Sequence, residues 1–263
     1  MEFGCCIPSE HAKLAAEFGY DFVELRTGEL FPEGSTTDFM RTSRNIDASG
    51  IPALSFNFFL PPTIKIVGTE TDPERQRNYL ETAAERGASL GGKYFVLGSG
   101  RSRRVPEGYP HEVAIGQFHD FARMAGDIVG QYGMSIVLEP LNHCETNFMH
   151  TVKDGIEQMM AINHPQVFVL ADLYHMVMEN EPLYNVLLAG DRLHHVHVCD
   201  AGRGLPGTRT YNIWDFFSYL NSMEYNRAIS VEAAFDQFST DGPIVLQLLH
   251  NVKDTRGEVK FSL

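Results

Sequence analysis

The chain has 263 residues, with 43% hydrophobic and 21% charged residues and a formal net charge of -13 at pH 7, a composition typical of one globular enzyme domain. It has no apolar run long enough to span a bilayer and no N-terminal signal peptide, so we expect a cytoplasmic protein without membrane contacts. The acidic charge disfavours nucleic-acid partners, and four cysteines without a Cys-x-x-Cys pair are too few for a disulfide scaffold.

Short apolar segments alternate with amphipathic segments from one end of the chain to the other. The first amphipathic segment, SEHAKLAAEFG, predicts a helix with Ser9 as its N-cap and Gly19 at its C-terminal end. The segments ERQRNYLETAAERGASLGG and HEVAIGQFHDFARMAGDIVGQYG have the same periodicity and the same glycine stop. Eight strands are predicted, over Phe3 to Ile7, Asp21 to Leu25, Pro52 to Asn57, Lys93 to Leu97, Ser135 to Glu139, Val167 to Asp172, Leu193 to Cys199 and Ala228 to Glu232.

This alternation predicts an α/β protein, and the polar residues favour a (β/α)8 barrel over a doubly wound sheet. The first strand is followed by CCIPSE, which lacks the glycine-rich phosphate turn of many doubly wound sheets. The length is close to the roughly 250 residues of a typical barrel. No linker, repeat or low-complexity tract divides the chain, so we expect a single domain over residues 1–263.

Four acidic or imidazole side chains lie at the ends of the last four predicted strands, where parallel strands of a barrel meet on one rim. They are Glu139, Asp172, His197 and Glu232. A lone buried carboxylate is costly, whereas three carboxylates and a histidine around a divalent cation neutralise one another. The sequence therefore predicts one divalent-metal site. An oxygen-rich site with one imidazole suits Mn²⁺, the expected ion, with Mg²⁺, Co²⁺ and Zn²⁺ as alternatives.

Three other histidines are weighed against this set. His195 shares the strand parity of His197 and is the alternative ligand, although it lies one layer deeper and is otherwise a buried supporting residue. His194 has the opposite parity and is predicted to face the helices. His143 is expected in a loop near the site or exposed to solvent.

Further polar residues follow three of the four predicted ligands within six positions. These are Asn142 and Glu145, His175, and Arg203. In this order the residues resemble the xylose-isomerase-like family of sugar isomerases and epimerases, in particular its branch of ketose 3-epimerases and hydroxypyruvate isomerases. The segments GSGRSRRVPEG and HVHVCDAGRGLPG are also similar to that family.

The resemblance implies a metal-dependent isomerase or epimerase that acts on a ketose or related sugar through a cis-enediolate. It implies that Glu139 and Glu232 are both metal ligands and the acid/base pair, and that Asp172 and His197 complete the metal site. Residues implied to bind the substrate or orient the ligands are Asn142, Glu145, His175 and Arg203. A small sugar is the expected partner, and a homo-oligomer is left open.

The chemistry is reasonable on its own terms, because a cation that holds a carbonyl and its neighbouring oxygen stabilises the enediolate formed by proton loss. Two alternatives use the same scaffold, a hydroxypyruvate-isomerase-type enzyme and a sugar lyase or dehydratase. An endonuclease-IV-like nuclease is disfavoured by the charge of -13. A non-catalytic sugar-binding protein would not need a full set of ligands.

A short run of arginines follows the fourth predicted strand. We predict that Arg101 and Arg103 recognise a carboxylate or phosphate of the substrate, since guanidinium groups bind such anions through paired hydrogen bonds. The alternative is that Arg101, Arg103 and Arg104 form a solvated surface. A phosphorylated or acidic sugar is therefore one of the expected substrates.

Overall fold

The strands form a closed barrel of eight parallel strands in chain order, in a computed structural model that describes residues 1–254. Residues 255–263, the end of the predicted domain, lie outside the described part. The strands are Glu2–Cys6 (β1), Phe22–Arg26 (β2), Ala53–Asn57 (β3), Tyr94–Leu97 (β4), Ser135–Leu138 (β5), Val167–Asp172 (β6), Leu193–Val198 (β7) and Ala228–Val231 (β8). The predicted (β/α)8 barrel is confirmed, and every strand bound lies within one residue of its expected position.

Helices surround the barrel and fill the connections between successive strands. The α-helices of the described residues are Ala12–Phe18 (α1), Thr36–Ser49 (α2), Pro73–Ser89 (α3), Gly100–Arg103 (α4), His111–Gly130 (α5), Val152–Ile162 (α6), Leu173–Met178 (α7), Ile213–Ser222 (α8) and Phe238–Asp254 (α9). None of the helices within residues 1–254 has the length and apolar character needed to cross a membrane.

The start of α1 differs from the prediction. A 3-10 turn over Ser9–His11 precedes the helix, and the side chain of Ser9 caps no helical N–H group. Its hydroxyl instead accepts a hydrogen bond from Asn45 Nδ2 at 3.1 Å. Gly19 ends the helix as predicted, with the left-handed φ of 97° that glycine adopts without a steric cost.

Apolar side chains fill two layers. The larger layer packs between the strands and the surrounding helices. A smaller cluster lies inside the barrel and is built from residues of β2, β3, β4, β5, β6 and β8. Its buried members are Phe22, Leu54, Tyr94, Val96, Val137, Leu170 and Ala228. Because this cluster plugs the N-terminal end of the barrel, polar side chains inside the barrel collect at the opposite rim.

Candidate active site

The four predicted metal ligands converge at the C-terminal rim. Each of Glu139, Asp172, His197 and Glu232 offers one ligand atom, and these atoms all lie within 4.8 Å of one another. The first three are buried, and the side chain of Glu232 is 15% exposed. Because they come from β5 to β8, half of the barrel ring supplies the group, and the rigid strands fix its geometry.

His197 points Nδ1 into this group. Its Nε2 lies 2.9 Å from Glu24 Oε1, and its Nδ1 lies 3.2 Å from Glu139 Oε1. Burial lowers the pKa of His197, but Glu24 and Glu232 outweigh burial and raise it well above its ordinary value. A cation fits the site because it would replace the proton on Nδ1 of His197, while the proton on Nε2 stays hydrogen-bonded to Glu24.

Glu24 is a buried functional residue that the sequence analysis missed. It lies in the middle of β2, is 1% exposed, and accepts hydrogen bonds from the hydroxyls of Ser55 and Ser230 at 2.5 and 2.7 Å. His195 Nε2 lies 2.7 Å from Glu24 Oε2, the oxygen that also accepts from the two hydroxyls. The alternative in which His195 is the metal ligand is therefore wrong, and His195 supports Glu24 one layer below the site. The sequence signal that could have identified Glu24 is a glutamate inside the otherwise apolar first part of the strand FVELR.

Arg203 bridges the remaining carboxylates. Its Nη1 donates to Asp172 Oδ2 at 3.1 Å and also to Glu232, and its Nη2 lies 3.7 Å from Glu145. The guanidinium stacks over the ring of Tyr174, 4.2 Å from its centroid. Arg203 therefore reaches the group from the β7–α8 loop, as its position six residues after His197 led us to expect.

The two glutamates of the site have different proton affinities. Burial, reinforced by Glu232, raises the pKa of Glu139 to about 7. Burial also acts on Glu232, but Arg203 and His197 outweigh it and lower the pKa of Glu232 to about 2. The surroundings of the two carboxyl groups therefore separate their proton affinities, as in acid/base pairs.

His175 is buried, and both of its ring nitrogens are in contact with neighbouring polar groups. Asn142 donates to its Nδ1 from the backbone N–H at 3.1 Å, with Asn142 Nδ2 at 2.8 Å, and Arg203 Nη2 lies 3.1 Å from its Nε2. Burial, together with Arg203, lowers the pKa of His175 to about 2. The Nε2 atom lies 3.5 Å from Asp172. Asn142 is itself buried beneath the site. It therefore orients His175 and does not make the predicted contact with the substrate.

The arginine run divides into one buried and two exposed residues. Arg103 is fully buried, and its guanidinium donates to the carbonyl oxygens of Leu97 at 3.3 Å and Glu139 at 2.9 Å. The prediction that Arg103 binds an anion of the substrate is wrong for this reason. Arg101 and Arg104 are exposed and line the cavity that contains the four-residue group.

This cavity has a volume of about 730 Å³, within the range of small-molecule sites. Glu139, Glu232, Arg203 and Glu145 face it. Asn57, at the end of β3, is a further polar residue that sequence reasoning missed. Its Nδ2 donates to Glu232 Oε1 at 3.0 Å, and its buried Oδ1 has no hydrogen-bond partner among residues 1–254. An unpartnered acceptor beside these carboxylates fits a site that is completed by a bound polar ligand.

Two further histidines lie away from the group. His143 is exposed, pairs with Glu179 and stacks on His150. His194 stacks on Phe168, which packs against the apolar cluster inside the barrel, with ring centroids 3.4 Å apart. The prediction that His194 faces the helices is wrong, because the β6–β7 register shifts by one residue and makes His194 the extra residue of a bulge.

Comparisons with known proteins agree with the fold. A family model described as xylose isomerase-like TIM barrel matches residues 12–255. The L-ribulose 3-epimerase of Methylomonas sp. (strain DH-1) is 30% identical over 230 residues, which cover 86% of this chain and 77% of that protein. The 3-dehydro-D-guloside 4-epimerase of Escherichia coli (strain K12) is 28% identical over 169 residues, which cover 60% of this chain and 64% of that protein. The structure of D-allulose 3-epimerase from Methylomonas sp. shares the fold, with a TM-score of 0.83 and 21% identity over 96% of this chain and 98% of that chain.

Proposed function

Because the chain belongs to the xylose isomerase-like TIM-barrel family, whose matched members are sugar epimerases, we propose that it is a divalent-metal-dependent ketose 3-epimerase. It is an enzyme of the sugar isomerase and epimerase class. The observation that carries the finer proposal is the convergence of Glu139 and Glu232 with Asp172 and His197 at one rim of the barrel. These two glutamates come from β5 and β8, three places apart in the ring, and so can address opposite faces of a substrate between them.

Each glutamate would have one proton-transfer role. Glu232 would accept the proton from the carbon next to the ketone, and Glu139 would deliver a proton to the opposite face of that carbon, which inverts its configuration. Proton exchange with solvent would then return both carboxyl groups to their starting protonation states. In the reverse direction the two roles exchange.

The other residues of the site hold the substrate oxygens. The guanidinium of Arg203, whose Nη2 lies 3.1 Å from His175 Nε2, is a donor that can bind substrate hydroxyl or carbonyl oxygens, and the free Oδ1 of Asn57 can accept from a hydroxyl. Glu145, at the edge of the cavity, can accept from another hydroxyl. A cation held by the four-residue group supplies stabilisation of the negative charge that develops on the enediolate oxygens.

Mn²⁺ is the ion that we propose for this ligand set. Three carboxylates and one imidazole form a hard, oxygen-rich site, which Mg²⁺ and Co²⁺ also accept and which does not exclude Zn²⁺. Elemental analysis of the purified protein should give one divalent ion per chain. A protein that binds no divalent ion at micromolar concentration would contradict the metal-dependent proposal.

The proposal is tested by product analysis. The protein is loaded with Mn²⁺ and incubated with D-fructose, D-ribulose and hydroxypyruvate, and the products are resolved by chromatography. The expected result is the C3 epimer of a ketose, formed only in the metal-loaded sample and abolished by a chelator. An aldose product, a dehydrated product or turnover of hydroxypyruvate alone would contradict 3-epimerisation and favour one of the alternatives on the same scaffold.

A further inference from the structure

The loop that follows β4 is held rigidly against the candidate site. A Cβ atom on Gly98 would lie 2.1 Å from Glu139 Oε2, and one on Gly100 would lie 2.7 Å from the carbonyl oxygen of Glu145, so both glycines allow a close approach of backbone to the site. Arg103 ties the loop to the ends of β4 and β5. The backbone of Ser102 accepts from Ile66 at 2.8 Å. The backbone that carries the side chains of this loop is therefore fixed in position.

Two arginine side chains of this loop have guanidinium groups without a hydrogen-bond or ion-pair partner. Arg101 and Arg104 are exposed, and neither guanidinium makes an ion pair or hydrogen bond within residues 1–254. Because guanidinium groups recognise carboxylates and phosphates through paired, charge-assisted hydrogen bonds, an anionic ligand is the natural partner.

Both arginines lie between two cavities. The first contains the candidate metal group, and the second, of about 670 Å³, is also lined by Lys65 and His111 and by the carboxylates Glu70 and Glu107. Arg101 and Arg104 line both cavities, whereas Glu139 and Glu232 line only the first. The arginines therefore lie on the side of the site that leads away from the reacting carbon.

We propose that Arg101 and Arg104 bind an anionic group at the end of the sugar substrate remote from the reacting carbon, so that the enzyme acts on a phosphorylated or acidic ketose. This inference rests on the proposed function. The candidate metal group binds the uncharged, oxygen-rich end of the sugar, whereas the two free guanidiniums attract the charged end. A substrate with charge at one end is thus oriented in one direction only.

The test is a binding experiment that needs no turnover. The Mn²⁺-loaded full-length protein is titrated in a calorimeter with D-glucitol, D-glucitol 6-phosphate and D-gluconate, which lack a ketone and do not react. The two anionic ligands represent the phosphate and carboxylate sources of charge. We expect at least one of them to bind about 10-fold or more tightly than D-glucitol, and Arg101→Ala and Arg104→Ala each to weaken that ligand about 10-fold without changing D-glucitol binding.

The matched control is Arg77→Ala, which removes an exposed arginine of α3 and should change neither affinity. Arg101→Lys and Arg104→Lys keep the charge and should retain part of the preference, which separates lost recognition from a folding defect. Equal affinity of the wild type for D-glucitol and both anions would overturn the proposal, as would equal effects of the alanine variants on all three ligands.

Failure of this inference and failure of the proposed function give different results. Epimerisation of neutral D-fructose without any preference for anions would leave the epimerase proposal intact and overturn only the anion site. Arginine-dependent binding of an anionic ligand, with no epimer formed from any ketose or ketose phosphate, would support the anion site and overturn the 3-epimerase on which the substrate class rests.

Discussion

His197 is oriented by Glu24, and this contact determines which nitrogen faces the candidate metal site. Glu24 is buried and receives four hydrogen-bond partners, so its carboxylate is fixed in position. Burial raises the pKa of Glu24, but His197 and His195 outweigh it and hold this pKa well below its ordinary value. An ionised Glu24 keeps the Nε2 proton of His197 in place and leaves Nδ1 for the cation.

Glu24→Gln should therefore weaken metal binding by about 10- to 100-fold, the usual effect of removing a carboxylate that orients a histidine ligand. Calorimetric titration of the apoprotein with Mn²⁺ measures this directly. The matched control is Glu181→Gln, which changes a buried carboxylate bonded to the start of α6 instead. An unchanged Mn²⁺ affinity in a folded Glu24→Gln variant would contradict the orienting role.

Glu139→Gln and Glu232→Gln should each lower turnover by about 10² to 10⁴, the contribution of a positioned general acid or base, and by more where metal binding also fails. Metal content is measured on each variant alongside the rate of epimer formation. A variant that keeps its metal and full turnover would show that its glutamate is not part of the acid/base pair.

Strand parity and strand ends were enough to predict the four-residue group, because β-strands of a barrel must point alternate side chains inward. Glu24 and Asn57 were missed because they lie on β2 and β3, outside the half of the barrel whose strand ends supply the predicted group. Arg103 was misplaced for a different reason. Burial of an arginine depends on backbone carbonyl oxygens that only the folded loop brings together.

At the level of elements, the β7–α8 loop is organised by one buried aspartate. Asp200 accepts hydrogen bonds from the backbone N–H groups of Ala201, Thr210 and Tyr211 through Oδ1 and of Arg209 through Oδ2. These bonds outweigh the effect of burial and lower its pKa. The loop that they close carries Arg203 to the site.

Asp200→Asn should lower the free energy of unfolding at pH 7 by roughly 1.5 to 3 kcal/mol, the value of a hydrogen bond to a charged group. Because the pKa of Asp200 is lower in the folded protein, its stabilisation is complete above the unfolded pKa of about 3.9 and is lost as the pH falls through the folded pKa. The difference between wild type and variant, from denaturant titrations, should shrink below about pH 4.

Asp215→Asn is the control for this comparison, since Asp215 is an exposed aspartate of α8 paired with Asn212. Its effect on stability should be small. An Asp200→Asn difference that stays constant from pH 7 to pH 3 would contradict the assignment.

The approach of the β4–α4 loop to Glu139 gives another test. Gly98→Ala would press a methyl group against Glu139 Oε2, so we expect weaker Mn²⁺ binding by about 10-fold or more and a lower turnover. Gly116→Ala is the matched control, because nothing lies within 4 Å of the added methyl in the middle of α5. This control should stabilise the helix by about 1 kcal/mol. Equal metal affinities in the two variants would contradict the packing argument.

Element boundaries were predicted well where periodicity is regular and less well where local hydrogen bonds compete. The β6–β7 bulge moved His194 to the opposite side of its strand, and no sequence signal marks the extra residue. At α1, the hydroxyl of Ser9 found a partner in Asn45 of α2, so tertiary contact displaced the expected cap.

For the whole molecule, the alternation of strand and helix periodicities along the chain predicts the barrel. The apolar cluster fills the inside of the barrel, so the candidate active site lies at its C-terminal rim. The matched epimerases support the reaction class. What the sequence alone left open, namely the substrate charge and the carbon that reacts, depends on loops whose side chains are placed by long-range contacts. The arginine run is the clearest example. The sequence does not show that Arg103 is buried while Arg101 and Arg104 are exposed beside the cavity.

The central claim is proton exchange at the carbon next to the ketone by Glu139 and Glu232. The most direct measurement is incubation of the Mn²⁺-loaded enzyme with the ketose it converts, or its phosphate, in D₂O, with deuterium located by NMR. The account predicts deuterium at C3 in both epimers and none at C1, with exchange lost in Glu139→Gln and Glu232→Gln. Deuterium at C1 alone, at C4, or epimer formation without any deuterium at C3 would contradict it.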